Sequence, residues 1–489
     1  MIKKSAFFAI LLSVAMAAGC NRISGRVTTL DHSPLAGVEI TLTGDTTSAT
    51  VTTNEDGTYR FDRLDPGQYV LTPLLNGTYF NPRSRNVTLR YSSNIVIDIV
   101  ASDHFNGWRQ DMTAGDRTFT CLHLEGSPYE MGWQHGELMK DEILAFREDA
   151  RAYFGGVVRE FLGSLLDIVG LDVVFNILVK PYLDQGMIDP DSLEEMKGIS
   201  DATGVRLKEV IIPNVQWEIQ ETLLHCSEFA AVGDATADGR LYHGFNMDTH
   251  SQENVALWNK YSLLVFYHPE GKKGFAAVTT PGGVGVFSGI NEEGISIGWD
   301  NTIIKEPPDY DRAFEPYLLV IRRALEQASS IDDAVEVITG PYRPLGDILI
   351  IADGKTKTAA ALETFDGKHV VREPEGDAIW SANQFMSAEM DPYDWDDDNP
   401  RYEEYEELLT GDLYGTWEKE TCIRDLLAVP PICRANANEM SLLYVPEDME
   451  IWISTQSGPA CQGLFIGFDL TGENPMPEEY WVDASSDGG

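Results

Sequence analysis

Residues 221–248 read ETLLHCSEFAAVGDATADGRLYHGFNMD, and the reading of the whole chain turns on the single cysteine in them, Cys226. The residues before it form an apolar, helix-like run, and those after it, EFAAVGDATADGRLYHGF, read as strands. A thiol at such a changeover has three readings: a core residue, half of a disulfide, or a nucleophile. Free cysteine is among the most buried residue types, so burial is the default until the surroundings are read.

Upstream, GSPYEMGWQHGELMKDEILAFREDARAYF (126–154) has a glycine-rich entry and then apolar residues at helical spacing. DSLEEMKGISDATGVRLKEVIIPN (191–214) predicts two short helices hinged at Gly204, the first opened by a Ser192/Glu195 capping box. Downstream, KYSLLVFYHPEGKKGFAAVTT (260–280) and VGVFSGINEEGISIGW (284–299) read as strands. PYLLVIRRALEQAS and IDDAVEVITG then read as helices, and GDILIIADG and TAAALETFDG as strands again. Strands, helices and strands in blocks imply a layered α+β fold rather than a doubly wound one. GVGVFSG (283–289) imitates a dinucleotide loop, but no helix follows, so it reads as strand and turn.

The segment 22–102 has a different texture. ISGRVTTL, AGVEITLTG, TSATVTTNEDGTYRF and GQYVLTPLL are short alternating strands, punctuated by NEDG, DPG and LNG. Its Gly25, Pro34, Gly37, Asp56, Gly57, Tyr59, Gly67 and Tyr69 resemble the carboxypeptidase-regulatory-like domain. That resemblance implies a seven-stranded, prealbumin-like β-sandwich without catalytic residues, a spacer or binding module.

The N-terminus, MIKKSAFFAILLSVAMAAGC, has Lys3 and Lys4, an apolar run from Ala6 to Ala18, and small residues before Cys20. It reads as an export signal, too short to span a bilayer. A cysteine after small residues resembles the bacterial lipoprotein signal, which implies lipidation of Cys20 and a mature chain tethered to the membrane. Asn21 after the anchor points to the outer membrane or cell surface. The formal net charge is −42, a surface that repels nucleic acid and anionic lipid. An exported chain can pair Cys121, Cys422, Cys433 and Cys461, and proximity in sequence makes Cys422–Cys433 the first expectation. No CxxC, HExxH or histidine cluster points to zinc, and no cofactor is called for. The acid-rich DPYDWDDDNP (391–400) reads as a solvated loop, with calcium held by its carboxylates as the alternative.

A catalytic cysteine needs a base, an oxyanion donor and a group that orients the base. His225 is adjacent, but neighbours in a strand point to opposite faces. If the bond before Cys226 were broken, the cysteine would carry its own base, an α-amine with a pKa of about 7.7–8.0.

The flanking motifs carry a resemblance that makes this specific. GSPYEMGWQHG and LEEMKGISDATGV…EVIIPNVQWEI precede Cys226. CSEFAAVGDATADGRLYHGFNMD, GINEEGISIGWDN, LIIADGKTKTAAALET and WSANQF follow from it in order. Residues 105–489 thus resemble the N-terminal-nucleophile hydrolases of the penicillin acyltransferase type (peptidase family C45), relatives of bile-salt hydrolases, acid ceramidase and phospholipase-B-like proteins. The resemblance implies an αββα fold, two antiparallel sheets between helix layers. It implies Cys226 as nucleophile after cleavage of the His225–Cys226 bond, and Asp248 as the acid that holds amine and thiol in register. Asn301, ten residues after Asn291, would donate to the oxyanion, and Asn383 would line the site. Arg401 would pair with the acid or with a substrate carboxylate. Two positions depart from the pattern: Phe245 stands where many relatives have arginine, and His225 where they often have glycine.

The expected organisation is a signal peptide (1–19), a β-sandwich (20–102), a pre-nucleophile segment (103–225) and a catalytic chain (226–489). The expected activity is hydrolysis of a small acylated amide through a thioester. An ester deacylase or acyltransferase, and an unprocessed surface binding lipoprotein, are the alternatives.

Overall fold

The computed structural model describes residues 21–29, 33–44, 48–75, 78–81, 84–90, 93–102, 107–114, 117–162, 171–215, 226–249, 260–305, 312–394, 399–455, 458–470 and 474–485. The chain divides into two compact units, Met1–Trp108 and Arg109–Gly489.

The first unit is all β. Ser48–Thr52, Glu39–Gly44, Gly67–Leu74 and Arg85–Leu89 form one sheet in that order. Thr58–Leu64, Asn21–Thr29, Ile99–Ser102 and Tyr79–Asn81 form the other, with Asn94–Val96 alongside Asn21–Thr29. Alternate residues point inward, so Ile23, Val27, Ile40, Leu42, Phe61 and Leu71 meet in one core. Nine strands are described here rather than the expected seven. Part of the excess arises because 94–102 is one run interrupted at Ile97, whose carbonyl accepts a 2.5 Å hydrogen bond from the Tyr59 hydroxyl.

The second unit has four layers. Its larger sheet runs Trp108–Ala114, Arg117–Gly126, Leu263–Pro269, Phe275–Thr279, Ser288–Asn291, Ile295–Ile297, Asp347–Asp353, Thr358–Phe365, Lys368–Arg372, with the short Asp300–Asn301 also on Asp347–Asp353. The pairing of Arg117–Gly126 with Leu263–Pro269 is parallel, a geometry open to segments so far apart in sequence. The smaller sheet runs Ala378–Ser381, Ser227–Gly233, Gly239–Asp248, Asn438–Val445, Glu450–Ser454, Leu464–Asp469, Asn474–Pro475, with Val482–Asp483 also on Leu464–Asp469.

The sheets face each other through apolar side chains. Ala230, Leu241 and Ile379 of the smaller meet Ile350, Ala352 and Ala361 of the larger. On the outer face of the smaller sheet, Phe229, Tyr242, Leu443 and Trp452 are covered by Tyr405 and Leu409 of the helix Pro400–Thr410 and by the π-helical turn Cys422–Leu427. Helices Tyr317–Gln327 and Ile331–Thr339 cover the larger sheet, with Pro128–Leu138 packed beside Arg117–Gly126. Both faces of each central strand are therefore buried, which is why Asp347–Asp353 (DILIIAD) is almost continuously apolar instead of alternating. The αββα architecture is the expected one.

Two glycines explain the upstream motifs. A Cβ on Gly132 would lie 1.9 Å from Glu195 O, and one on Gly198 would lie 2.3 Å from Tyr129 O. The helices Pro128–Leu138 and Pro190–Thr203 thus cross with backbones in contact. The second helix ends at Gly204, which is left-handed (φ 77°), before Leu207–Val215 begins. Its start differs from expectation. Asp189 is the N-cap, accepting from Ser192 N at 3.0 Å, with Pro190 in the first turn, where its fixed φ suits the helix. Ser192 therefore lies inside the helix, and Glu195 is buried in a two-pronged pair with Arg322 (2.9 and 2.6 Å) instead of closing a capping box.

Candidate active site

Cys226 immediately precedes the strand Ser227–Gly233 and is buried. Burial pushes its thiol well above the ordinary value, and the Asp300 and Asp248 charges push the same way. A hydrogen bond with the Asp248 backbone and the Arg401 charge oppose them without prevailing. A thiol held protonated is a poor nucleophile until a base takes its proton.

Arg401 enters at the N-terminal turn of Pro400–Thr410, where Asn399 caps its backbone N–H at 3.2 Å. It is buried, not a solvated partner of the glutamates that follow it. Its Nη1 donates to the Cys226 carbonyl at 2.9 Å and lies 3.7 Å from Asp248 Oδ2. Its Nη2 donates to Asn383 Oδ1.

Asp248 ends the strand Gly239–Asp248 and is fully buried. Burial raises its carboxyl to about 7 against the opposing pull of Arg401, a hydrogen bond from Asn438, and Arg434. Oδ1 accepts from Asn438 Nδ2 at 2.9 Å, whereas Oδ2 has no hydrogen bond among the described residues.

Asn383 adopts a left-handed backbone (φ 61°) just past the strand Ala378–Ser381. Its backbone N–H donates to Asp300 Oδ2 at 2.7 Å, and its amide donates to Asp300 Oδ1 and, at 2.6 Å, to Asn301 O. Both amide hydrogens are thereby used, so the contact Asn383 offers the site is the one it makes with Arg401. Asn301 is buried on the opposite sheet, its N–H on Asp300 Oδ1 at 2.8 Å.

These contacts bring Cys226, Asp248, Asn301, Asn383 and Arg401 into one cluster across the two sheets. His225 and Cys20 lie outside the described residues. Two members were not foreseen. Asp300 joins Asn301 to Asn383, and burial raises its carboxyl to about 7 although Arg401, the Asn383 and Asn301 N–H groups and Ser381 stabilise its charge. Its adjacency to Asn301 in GWDN was the available signal. Asn438, in ANANEM, offered none.

Behind the cluster, Ser381 Oγ lies 3.4 Å from both Asp300 Oδ2 and Glu228 Oε1. Glu228 Oε1 also accepts from Ile350 N at 3.0 Å, and Oε2 is 3.5 Å from His243 Nε2. Burial drives this carboxyl well up and the imidazole down to about 3, disfavouring the charged form of each. Gly298 leaves the room, since a Cβ there would be 2.0 Å from Glu228 Oε2.

The expected Cys422–Cys433 bridge is not formed: the disulfide joins Cys433 to Cys461, Cα atoms 6.0 Å apart. Cys422 is a free, buried thiol among Ile423, Leu426 and Trp417 in the outer core, so closeness in sequence does not bring the sulfurs together. Of the acid-rich run, Asp394 accepts from Thr302 Oγ1 and from Phe385 N, both at 2.6 Å, and residues 395–398 lie outside the described set. Among the described residues, no group of three or more His, Cys, Asp or Glu could hold a metal, and no helix is long and apolar enough to cross a membrane.

Residues 239–443 match the family model described as acyl-coenzyme A:6-aminopenicillanic acid acyl-transferase, a span that contains Asp248, Asp300, Asn301, Asn383 and Arg401 and begins after Cys226. The chain carries a domain of the penicillin acyltransferase type. Residues 22–102 match the carboxypeptidase regulatory-like domain. The chain is 27% identical over 277 residues to an uncharacterized protein of Archaeoglobus fulgidus, covering 51% of this chain and 44% of that one. It is 23% identical over 263 residues to protein dcd1B of Dictyostelium discoideum, covering 50% of each. The chain thus spans about half the length of these curated relatives. Among solved structures, it is similar to a Caenorhabditis elegans N-acylethanolamine-hydrolyzing acid amidase ortholog, at 18% identity and a TM-score of 0.37, covering 45% of this chain and 93% of that one.

Proposed function

We propose that the protein is an exported hydrolase, lipid-anchored at Cys20, that cleaves a small acyl amide with Cys226 as its N-terminal nucleophile. In maturation the Cys226 thiol adds to the His225 carbonyl carbon. The S–C bond forms, the peptide C–N bond breaks, and the departing nitrogen takes the thiol proton. Water then hydrolyses this thioester, leaving a carboxylate on His225 and a free thiol and α-amine on Cys226. In turnover that amine, with a pKa of about 7.7–8.0, takes the thiol proton as sulfur attacks the substrate carbonyl. The amide nitrogen leaves with the proton, and water resolves the acyl-enzyme.

The observation that carries this reading is Asp248. It is a buried carboxyl poised near 7, with one oxygen fixed by Asn438 and the other without a hydrogen bond among the described residues, beside a thiol that cannot ionise alone. A new ammonium or amine at Cys226 would satisfy Oδ2 and be oriented by it. Arg401 fixes the Cys226 carbonyl, and its charge opposes the rise that burial imposes on the Asp248 and Asp300 carboxyls.

The test is intact mass and N-terminal sequencing of the chain lacking residues 1–20, beside Cys226→Ala. The reading expects two fragments in wild type, the second beginning Cys-Ser-Glu-Phe, and one chain in the variant. One intact chain in both would reject self-maturation and favour a binding lipoprotein. Release of p-nitroaniline from dodecanoyl p-nitroanilide, against p-nitrophenol from the dodecanoyl ester, separates amidase from ester deacylase.

A further inference from the structure

Asn438 opens the strand Asn438–Val445 and is fully buried. The register with Gly239–Asp248 slips there: Met247 opposes Met440 but Asp248 opposes Asn438, with Glu439 as the extra residue of a bulge. Bulges re-aim side chains next to functional sites, and this one sets the Asn438 amide against the Asp248 carboxyl at 2.9 Å.

The amide itself is held from two sides. Its Oδ1 accepts from Cys461 N at 2.7 Å, and the Asn438 backbone N–H donates to Arg434 O at 2.9 Å. Arg434 directly follows Cys433, and Cys433 is bonded to Cys461. The disulfide therefore joins the two anchors that fix Asn438, one on its backbone and one on its side chain.

We propose that Asn438 is a positioning residue for Asp248, and that the Cys433–Cys461 bridge holds it in the geometry through which it acts. This rests on Asp248 orienting the amine freed at Cys226. An amide whose oxygen is taken by the Cys461 N–H can present only its N–H to the carboxyl, so it favours the ionised form and fixes which oxygen is left for the amine. The bridge would then be required for activity, not only for stability, and reduction would weaken the enzyme while the sandwich persisted.

The charged and titratable groups acting on Asp248 are Arg401 and Tyr405 from Pro400–Thr410, Arg434 from the disulfide-bonded turn, Glu439 from the bulge, and the Cys226 thiol. Asn438→Ala leaves all of them in place and removes the donor to Asp248 together with the acceptor of the Cys461 N–H. On the processed full chain, the test is the pH profile of dodecanoyl p-nitroanilide hydrolysis for wild type, Asn438→Ala, Asp248→Asn and Cys433→Ala/Cys461→Ala. For Asn438→Ala the acid limb moves up by about one pH unit, a roughly tenfold loss of rate on that limb, while the alkaline plateau stays within about threefold. The double cysteine variant, or wild type assayed under dithiothreitol beside its oxidised form if that variant does not fold, moves the same way by less. An acid limb that stays in place, or an equal loss at every pH with a normal melting curve, overturns the proposal. Wild-type activity in Asp248→Asn would instead overturn the reading of Asp248 beneath it.

Discussion

Asp300→Asn is the sharpest probe of the cluster, because the same substitution acts on stability and on catalysis with different signatures. The carboxyl ionises near its ordinary 3.8 when unfolded and at about 7 when folded. Between those values the folded chain keeps a proton that the unfolded chain has released, so Asp300 stabilises fully below about pH 4 and loses that contribution as pH rises through about 7. The slope is about 1.4 kcal/mol per pH unit, or about 2.7 kcal/mol between about pH 4.5 and about pH 6.5. Asparagine does not titrate, so this part of the slope disappears in the variant. The substitution also carries a fixed cost. Oδ1 faces the Asn301 N–H at 2.8 Å and Oδ2 the Asn383 N–H at 2.7 Å, so either rotamer of Asn sets an NH2 against a buried N–H. Leaving such a donor unsatisfied costs about 1–3 kcal/mol. Urea unfolding of both proteins at the two pH values should therefore show Asp300→Asn less stable at the acid end, with the gap closing by about 2.7 kcal/mol at the other. Curves that remain parallel would refute the claim that Asp300 holds a proton in the folded cluster. Because Asp300 orients Asn383, and Asn383 orients Arg401, the variant should also lose about 100-fold in kcat with a smaller change in KM.

Three further outcomes follow from the surrounding contacts. Gly298→Ala forces a methyl to 2.0 Å from Glu228 Oε2 and should destabilise by about 1–3 kcal/mol in thermal melting, whereas Gly298→Ala melting like wild type would mean the Glu228 pocket is not close-packed. Glu228→Gln replaces a carboxyl that burial keeps protonated to higher pH in the folded chain than in the unfolded one, where it ionises near its ordinary 4.5. Wild-type stability from this group is present below that value and lost above it, so the variant should gain on wild type as pH rises, read by unfolding at mildly acid and mildly alkaline pH. Gly132→Ala brings a Cβ to 1.9 Å from Glu195 O and should cost about 1–3 kcal/mol by pushing the helices apart, with little effect on kcat in the p-nitroanilide assay if the site is independent of that crossing.

What could be read in the linear chain is what is encoded locally, and the exceptions share a cause. The strand and helix blocks were visible because burial on both faces leaves runs such as DILIIAD, and because glycines stand where helices cross. The Gly204 hinge was visible because a helix ends most easily on a residue that tolerates a left-handed turn. The capping box failed where two local signals competed: Asp189 followed by Pro190 starts the helix before Ser192 can cap it. The missed residues depend on register instead. Asp300 acquires its role because Asn383 folds back over it with a left-handed backbone, from a segment about eighty residues away. Asn438 reaches Asp248 only because the bulge at Glu439 shifts the pairing by one, and Cys433 finds Cys461 because both flank that bulged strand rather than because they are near in sequence. A one-residue change of register turns each side chain to the other face of its strand. The same shift would return Asp248 to an ordinary strand-end carboxylate and leave Cys226 an ordinary core thiol, so the chemistry of this site resides in pairings that no single stretch of the chain contains.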